Sequence, residues 1–360
     1  MTAVLRGTLT TGVCADEAEF EALAAAWGRL HRSCAAATPF QSHAWLSSWW
    51  RSYGQPGALR VVLVRHGDRL VAAAPLMRVR GPVLRPLGGA ISDFTDVLLD
   101  DADREAAARA LAAALRGLAA SALLDFGEVR PGACLESIYE LWQGPKRALA
   151  DSPCLELPAL PMDELLKRLP APRAQRTRAK IRKLSALGVE SRIVPAEEVE
   201  SSLCTLLRLH ELQWSGRKVT TEHLQPRFRE HLLRSMRPMV AAGEAVVTEF
   251  RLDGEVLAAD LTLLSGTLAG GYLYGAHPSL RERKVDVATM LLEATTRHTG
   301  GEQRRALSLL RGNEPYKHHW RPDPVTNQRF LLARGRTAPL LTAAAGYAAV
   351  RAWAKRRLRQ

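Results

Sequence analysis

The sequence predicts an α/β protein built of two related halves. Three observations point there: a length of 360 residues, which is long for one ordinary core; a mixture of helical periods with short apolar strands; and a strand–turn–strand unit that occurs twice. Domains of roughly 100–200 residues divide such a chain in two. Apolar residues make up 47% and charged residues 24%, a globular rather than a disordered balance.

In the first half, residues 17–30 and 45–53 read as helices, the second entered through Pro39-Phe40-Gln41-Ser42. Residues 60–64 and 70–77 read as strands around His66-Gly67-Asp68, with Pro75 expected at an edge or strand end. An Ala-rich helix at 104–118 and a buried strand at 122–126 follow. In the second half, residues 245–251 and 256–264 flank Asp253-Gly254, a strong hairpin turn. A strand at 271–276, a polar loop at 277–286, a helix at 287–298 and a strand at 306–310 come next. A short helical piece near 315–320 and a strand at 328–333 complete the half. Placing Gly67 on Gly254 aligns Leu70 with Leu257, Ala72 with Ala259 and Ala73 with Asp260, so the same apolar phasing recurs. The expected division is 1–155, a basic helical segment 156–190, 191–336, and a basic final helix 337–360.

The five cysteines are odd in number and form no C-x-x-C, which argues against a disulfide framework and a zinc site and suits a reducing cytoplasm. No leader-like segment precedes Asp16 and no uncharged apolar run reaches about 18 residues. The net charge of +13 has two sources. One is the run Lys167, Arg168, Arg173, Arg176, Arg178, Lys180, Arg182 and Lys183; the other is Arg351, Lys355, Arg356, Arg357 and Arg359. No P-loop, dinucleotide fingerprint or metal constellation is present.

Several dispersed segments carry a family likeness. Pro39-Phe40-Gln41-Ser42 with Trp45 and Trp49, and Ser92-Asp93-Phe94-Thr95-Asp96, lie in the first half. Leu209-His210 with Trp214 and Arg217, and Arg311-Gly312-Asn313-Glu314-Pro315-Tyr316-Lys317 with Trp320, lie in the second. In order and spacing they resemble the GNAT superfamily, and within it FemAB-like proteins close to CelD/BcsL-type acetyltransferases. The likeness implies two tandem GNAT-like domains with mixed sheets flanked by helices, plus a C-terminal helix. It also implies an N-acyltransferase drawing on acetyl-CoA or another acyl-CoA, without a metal. The acceptor would be an amine of a small molecule, sugar or envelope precursor. A Fem-type enzyme using aminoacyl-tRNA, with the basic 167–183 segment as the tRNA contact, is the alternative. A catalytically silent binding protein is the third reading.

Acyl transfer to an amine needs a base for the amine, donors for the oxyanion and a proton for the leaving group. Lys317, Tyr316, Glu314 and Asp260 are the candidates. Asp260 interrupts an apolar strand where a carboxylate costs energy unless it is paired or used, and its counterpart in the first half is Ala73. By the likeness, Arg281, Arg283, Lys284 and Val287 before and at the helix start would meet coenzyme A phosphates. His210, Trp214, Arg217, Tyr272, Tyr274, Arg311 and Asn313 would line the acceptor slot, while His210 also suits a buried, hydrogen-bonded packing role. The final helix either docks on its own domain or lies on an anionic membrane at the inner face.

Overall fold

The computed structural model describes residues 8–214, 221–299 and 304–357. In chain order the first run comprises β1 (Leu9–Cys14), α1 (Glu17–Ala22), α2 (Ala24–Arg32), α3 (His43–Tyr53), β2 (Leu59–His66) and β3 (Arg69–Val79). It continues with β4 (Val83–Pro86), β5 (Leu98–Leu99), α4 (Arg104–Leu118), β6 (Leu123–Val129) and α5 (Cys134–Leu141). Strand β7 (Lys146–Pro158) leads into α6 (Met162–Lys167), α7 (Ala171–Ala186), β8 (Glu190–Ile193), α8 (Val199–Trp214) and α9 (Pro226–Ala241). Then come β9 (Ala245–Leu252), β10 (Glu255–Leu264), β11 (Leu268–Ala276), α10 (Ser279–Glu282), α11 (Val287–Thr296) and β12 (Ala306–Arg311). The chain closes with β13 (Asp323–Leu332) and α12 (Ala338–Arg357).

Two compact units result. The first holds Met1–Trp50, Gly54–Ser152 and Thr326–Gln360; the second holds Arg51–Tyr53 and Pro153–Val325. The first unit's sheet runs β1-β2-β3-β4-β6-β13, with β5 beside β3, and the second runs β8-β9-β10-β11-β12-β7. Within each, the first three pairings are antiparallel, the fourth is parallel (β4 with β6; β11 with β12) and the fifth is antiparallel. The duplicated plan read from Gly67 and Gly254 therefore extends over six strands. Its sixth strand is exchanged: the first unit takes β13 from late in the chain, and the second takes the end of β7. A linear reading of the sequence placed residues 328–333 in the second half for this reason.

Local chemistry accounts for the elements. Both hairpins turn on glycines with positive φ, Gly67 at 56° and Gly254 at 82°, where a side chain would be strained. Pro75 lies inside β3 rather than at its end. Its carbonyl accepts from the Leu87 N–H, so its nitrogen faces the same side. There β5 pairs only Ala72 and Ala73, and β4 pairs from Leu76, so the missing N–H falls where the ladder with β4 ends and costs it one donor at most. The predicted helix at 17–30 is two, meeting at Leu23.

The N-terminal segments that carry the family likeness are architectural. Trp45 Nε1 donates to Ser92 Oγ at 2.8 Å and Gln41 Nε2 to the Phe94 carbonyl at 3.1 Å. The buried Asp96 accepts the Cys134 and Leu135 N–H groups, each at 2.8 Å, and so caps α5. In the second unit, Leu292, Leu307 and Trp320 form one core cluster with Leu157, Met162, Leu165 and Leu166. A second cluster joins Leu184, Phe250, Ala258 and Met290. No described helix is long and apolar enough to cross a membrane.

Candidate functional site

The second unit holds a cavity of about 180 Å³ where β11 and β12 stop pairing. The parallel ladder joins Leu268 to Ala306, Ala269 to Leu307 and Gly270 to Ser308, and then ends although both strands continue. Gly271, Tyr274, Leu307, Ser308 and Leu309 line this opening. Helix α11 closes one side with Ala288, Leu291, Leu292 and Thr295, and Asp260, Tyr316, Lys317 and Trp320 complete the wall.

Asp260 is the distinctive group. It lies on β10 between Thr248 of β9 and Tyr274 of β11, with 3% of its surface exposed. Oδ2 accepts from Thr262 Oγ1 at 2.7 Å, and no other partner occurs among the described residues. Among the described residues no cation offsets its burial, so desolvation pushes the carboxyl from 3.8 up to about 7, only partly opposed by the threonine hydrogen bond. The corresponding Ala73 is fully buried in the first unit, so the carboxylate is one-sided.

Lys317 reaches the same cavity from a short 3-10 turn, Lys317–Trp320, and is 7% exposed. Its ammonium donates to the Arg311 carbonyl at 2.9 Å and pairs with Glu314 Oε2 at 2.7 Å. An ammonium has three N–H donors, so one remains after those two contacts. A bulge in β12 makes this arrangement. Against β7 the register passes from Ser308–Glu156 to Arg311–Cys154, one extra residue on β12. Leu310 takes the left-handed region at φ 58° and its N–H donates to Ser308 Oγ. Gly312 follows at φ 110°, with the Glu314 carboxylate lying where its Cβ would be. The Arg311 carbonyl is thereby aimed at Lys317 rather than along the ladder. Tyr316 is 56% exposed, yet its hydroxyl is pushed up to about 12, by desolvation first and then by the neighbouring Glu314 and Tyr274.

The remaining sequence candidates divide. Tyr274 lines the cavity, and Tyr272 sits where β11 carries one extra residue against β10. Asn313 is exposed and hydrogen-bonds His318 Nε2 through Oδ1. His210 is buried behind β11, its Nδ1–H donating to the Tyr274 carbonyl at 2.7 Å, and burial lowers its pKa. That contact ties α8 to the strand that carries Tyr274. Arg217 lies outside the described residues, and of Trp214 only the helical backbone is described.

The proposed phosphate-binding loop departs from expectation. Arg281 is exposed on α10, and Arg283 lies 3.8 Å from Asp253. The Arg283 and Lys284 carbonyls accept from Lys183 Nζ at 2.9 and 3.2 Å. Val287 packs toward Leu184 and Phe250. The start of α11 is already filled: Asp286 Oδ1 accepts the Thr289 N–H at 2.9 Å, and Oδ2 holds Lys180. Burial alone would raise Asp286, but the Lys180 ammonium and the Thr289 N–H hold it below the usual carboxylate range. A carboxylate thus already accepts at this helix start, where free N–H groups would otherwise attract an anion.

Sequence reasoning missed Glu156. It is 8% exposed on β7, directly across from Ser308. An acid breaking the apolar run Cys154-Leu155 and Leu157 is the signal that picked out Asp260; the strand exchange hid its relevance.

Comparisons with known proteins agree with this geometry. Residues 172–318 match the family model described as an acetyltransferase (GNAT) domain. Among solved structures, the fold is similar to FemX, with a TM-score of 0.62 at 11% identity over 92% of this chain and 99% of that one. It is also similar to L-PGS from Bacillus licheniformis (TM-score 0.54, 11% identity, 92% and 95% covered). A conserved protein of unknown function from Bacteroides thetaiotaomicron gives a TM-score of 0.54 at 12% identity, over 90% of this chain and 100% of that one. No curated protein matches the sequence. Residues 172–318 are thus similar to a GNAT acetyltransferase domain, within a duplicated GNAT-like α/β fold.

Proposed function

We propose that the second unit transfers an acyl group from an activated donor to an amine in the cavity between Asp260 and Lys317. One observation carries this reading: a buried carboxylate, pushed up to about 7 and without a cationic partner among the described residues, lines the same cavity as a lysine holding one spare donor. Asp260 takes a proton from the incoming amine. A base titrating near neutrality is half ionised where it must work, and proton transfer by such a group contributes about 10²–10⁴-fold. Lys317 gives its third N–H to the carbonyl oxygen, whose developing charge it stabilises in a site largely shielded from water. Tyr316, whose raised pKa keeps its hydroxyl protonated, gives that proton to the leaving atom and regains one from the solvent it is open to; Asp260 releases the amine proton to solvent, so both groups are reset.

The donor is an acyl-CoA in the leading reading. The family match and the strand opening support it, because an extended amide-bearing arm suits strand edges that have left their ladder. The chain's residues fit that arm but not a phosphate at the start of α11, where Asp286 stands. The α7 cations Arg173 and Arg176, which lie alongside, would meet the donor's anionic end, while Lys180 is held by Asp286. Arg173 Nη1 donates to the His319 carbonyl at 3.2 Å, and after desolvation Arg173, Lys180 and Arg176 all depress the His319 pKa.

The occupied helix start favours a second reading, aminoacyl-tRNA as donor. Helix α7 carries six cations and no acid over Ala171–Ala186, and binding there would fall steeply with salt. Thiol release from acetyl-CoA on addition of a panel of small-molecule and sugar amines tests the first reading. Retention of aminoacylated tRNA at low salt, without thiol release from any amine, assigns the second. If the folded protein does neither, both readings fail.

A further inference from the structure

Helix α12 belongs to the first unit and is anchored at one end only. Leu341 is buried with Leu123, Leu331 and Ala333, and Leu340, Ala344 and Ala345 pack against that cluster. Beyond Ala345 the helix continues to Arg357 with large apolar groups on its surface. Tyr347 and Val350 are each 63% exposed and Trp353 is 50% exposed. Their spacing of three places them within about 120° of the helix circumference. Exposed aromatic and β-branched side chains on one arc cost solubility unless something covers them.

The charge around that arc selects the cover. Arg351, Lys355, Arg356, Arg357 and Arg359 follow Tyr347, and no acid occurs after Asp323. The Arg351 guanidinium stands 5.8 Å from the Tyr347 ring centre, and that of Arg357 4.4 Å from the Trp353 ring centre. These contacts hold Arg351 at one flank of the apolar arc and Arg357 at its C-terminal end. Helix α7 is more basic still but exposes no large apolar side chain, which is the pattern for a phosphate backbone. The pattern on α12 is different: aromatic groups with an apolar body and polar tip, a β-branched residue between them, and cations alongside.

We propose that the outer part of α12, from Tyr347 to Arg357, docks on an anionic lipid surface. Tyr347, Val350 and Trp353 enter the headgroup boundary while the arginines meet lipid phosphates. The helix lies on such a surface rather than crossing it, since it is not apolar enough to span. This inference is independent of the donor assigned to the second unit.

Sedimentation of the full chain with phosphatidylcholine vesicles, with and without one quarter phosphatidylglycerol, tests it. The expected result is at least tenfold stronger partitioning onto the anionic vesicles, weakening as salt rises. Val350→Glu/Trp353→Glu should lose at least tenfold of it. Trp353→Ala, which leaves every cation in place, should also weaken binding measurably. A chain ending at Ala345 keeps the anchoring residues, so its unchanged thermal transition together with lost vesicle binding would separate docking from misfolding. The proposal is overturned if wild-type protein ignores anionic vesicles. It is overturned equally if the glutamate variant binds them as wild type does, or if the helix retains a structured RNA while vesicles do not compete.

Discussion

Replacing Asp260 by asparagine removes a charge while keeping the shape and the ability to accept from Thr262 Oγ1. Two consequences follow with opposite signs. Catalytically, the variant loses its base, and turnover should fall by about 10²–10⁴-fold. The wild-type rate should rise with pH through about 7 as Asp260 ionises, and the residual rate of the variant should lack that limb. For stability, a carboxyl moved from 3.8 to about 7 is penalised in the folded state by ~4 kcal/mol once ionised. The folded chain binds the extra proton between these values, so the contribution of Asp260 to stability declines as pH rises from about 4 to about 7. The asparagine side chain carries no such dependence. The variant should therefore gain stability relative to wild type over that window, approaching ~4 kcal/mol above it as an upper bound. Urea denaturation of both proteins at pH 4 and pH 8, with rates measured across the same range, tests both halves. An unchanged pH–rate profile, or a variant less stable than wild type at pH 8, would refute the role of Asp260 as a desolvated base.

Three further perturbations probe the rest of the site. Lys317→Met should lower turnover about 10²–10³-fold with an unchanged circular dichroism spectrum, since the oxyanion loses its side-chain donor; an unaltered rate removes Lys317 from the chemistry. Asp286→Ala should cost about 1 kcal/mol as a lost helix cap, yet strengthen acyl-CoA binding about tenfold by freeing the Thr289 N–H and Lys180 for phosphate; calorimetry showing no gain would favour the tRNA donor. Gly275→Ala should destabilise the second unit by ~3 kcal/mol in a urea titration, because the new Cβ would lie 2.4 Å from the His210 backbone nitrogen and 2.5 Å from the Leu206 carbonyl oxygen.

Much of this architecture was legible in the sequence because its signals are local. Asp253-Gly254 between apolar runs requires a hairpin, and Arg104–Leu118 repeats its apolar residues at helical spacing. Asp260 stood out for the same local reason, an acid inside an apolar strand, and the structure buries it. Lys317 was chosen from a polar cluster and is nearly as buried, held by a bulge that no periodicity announces. What stayed hidden is non-local. The exchange of β7 and β13 depends on pairing partners far apart in sequence, and it concealed Glu156 beside Ser308. Arg281, Arg283 and Lys284 read as a phosphate loop by composition, whereas the helix start they precede is capped by the intervening Asp286. A charge count cannot distinguish a cradle from a cap; only the direction of one carboxylate does.

The central claim is that acyl transfer occurs in the cavity bounded by Asp260, α11 and Lys317. Ala288 lies exposed in the first turn of α11 and lines that cavity, so Ala288→Trp would fill its mouth without entering the core. Calorimetric titration of wild type and this variant with acetyl-CoA, and separately with aminoacylated tRNA, is the most direct test. The account predicts that one of the two donors binds wild type and that Ala288→Trp abolishes the binding while leaving thermal stability intact. Equal donor binding by both proteins would place the site elsewhere and contradict it.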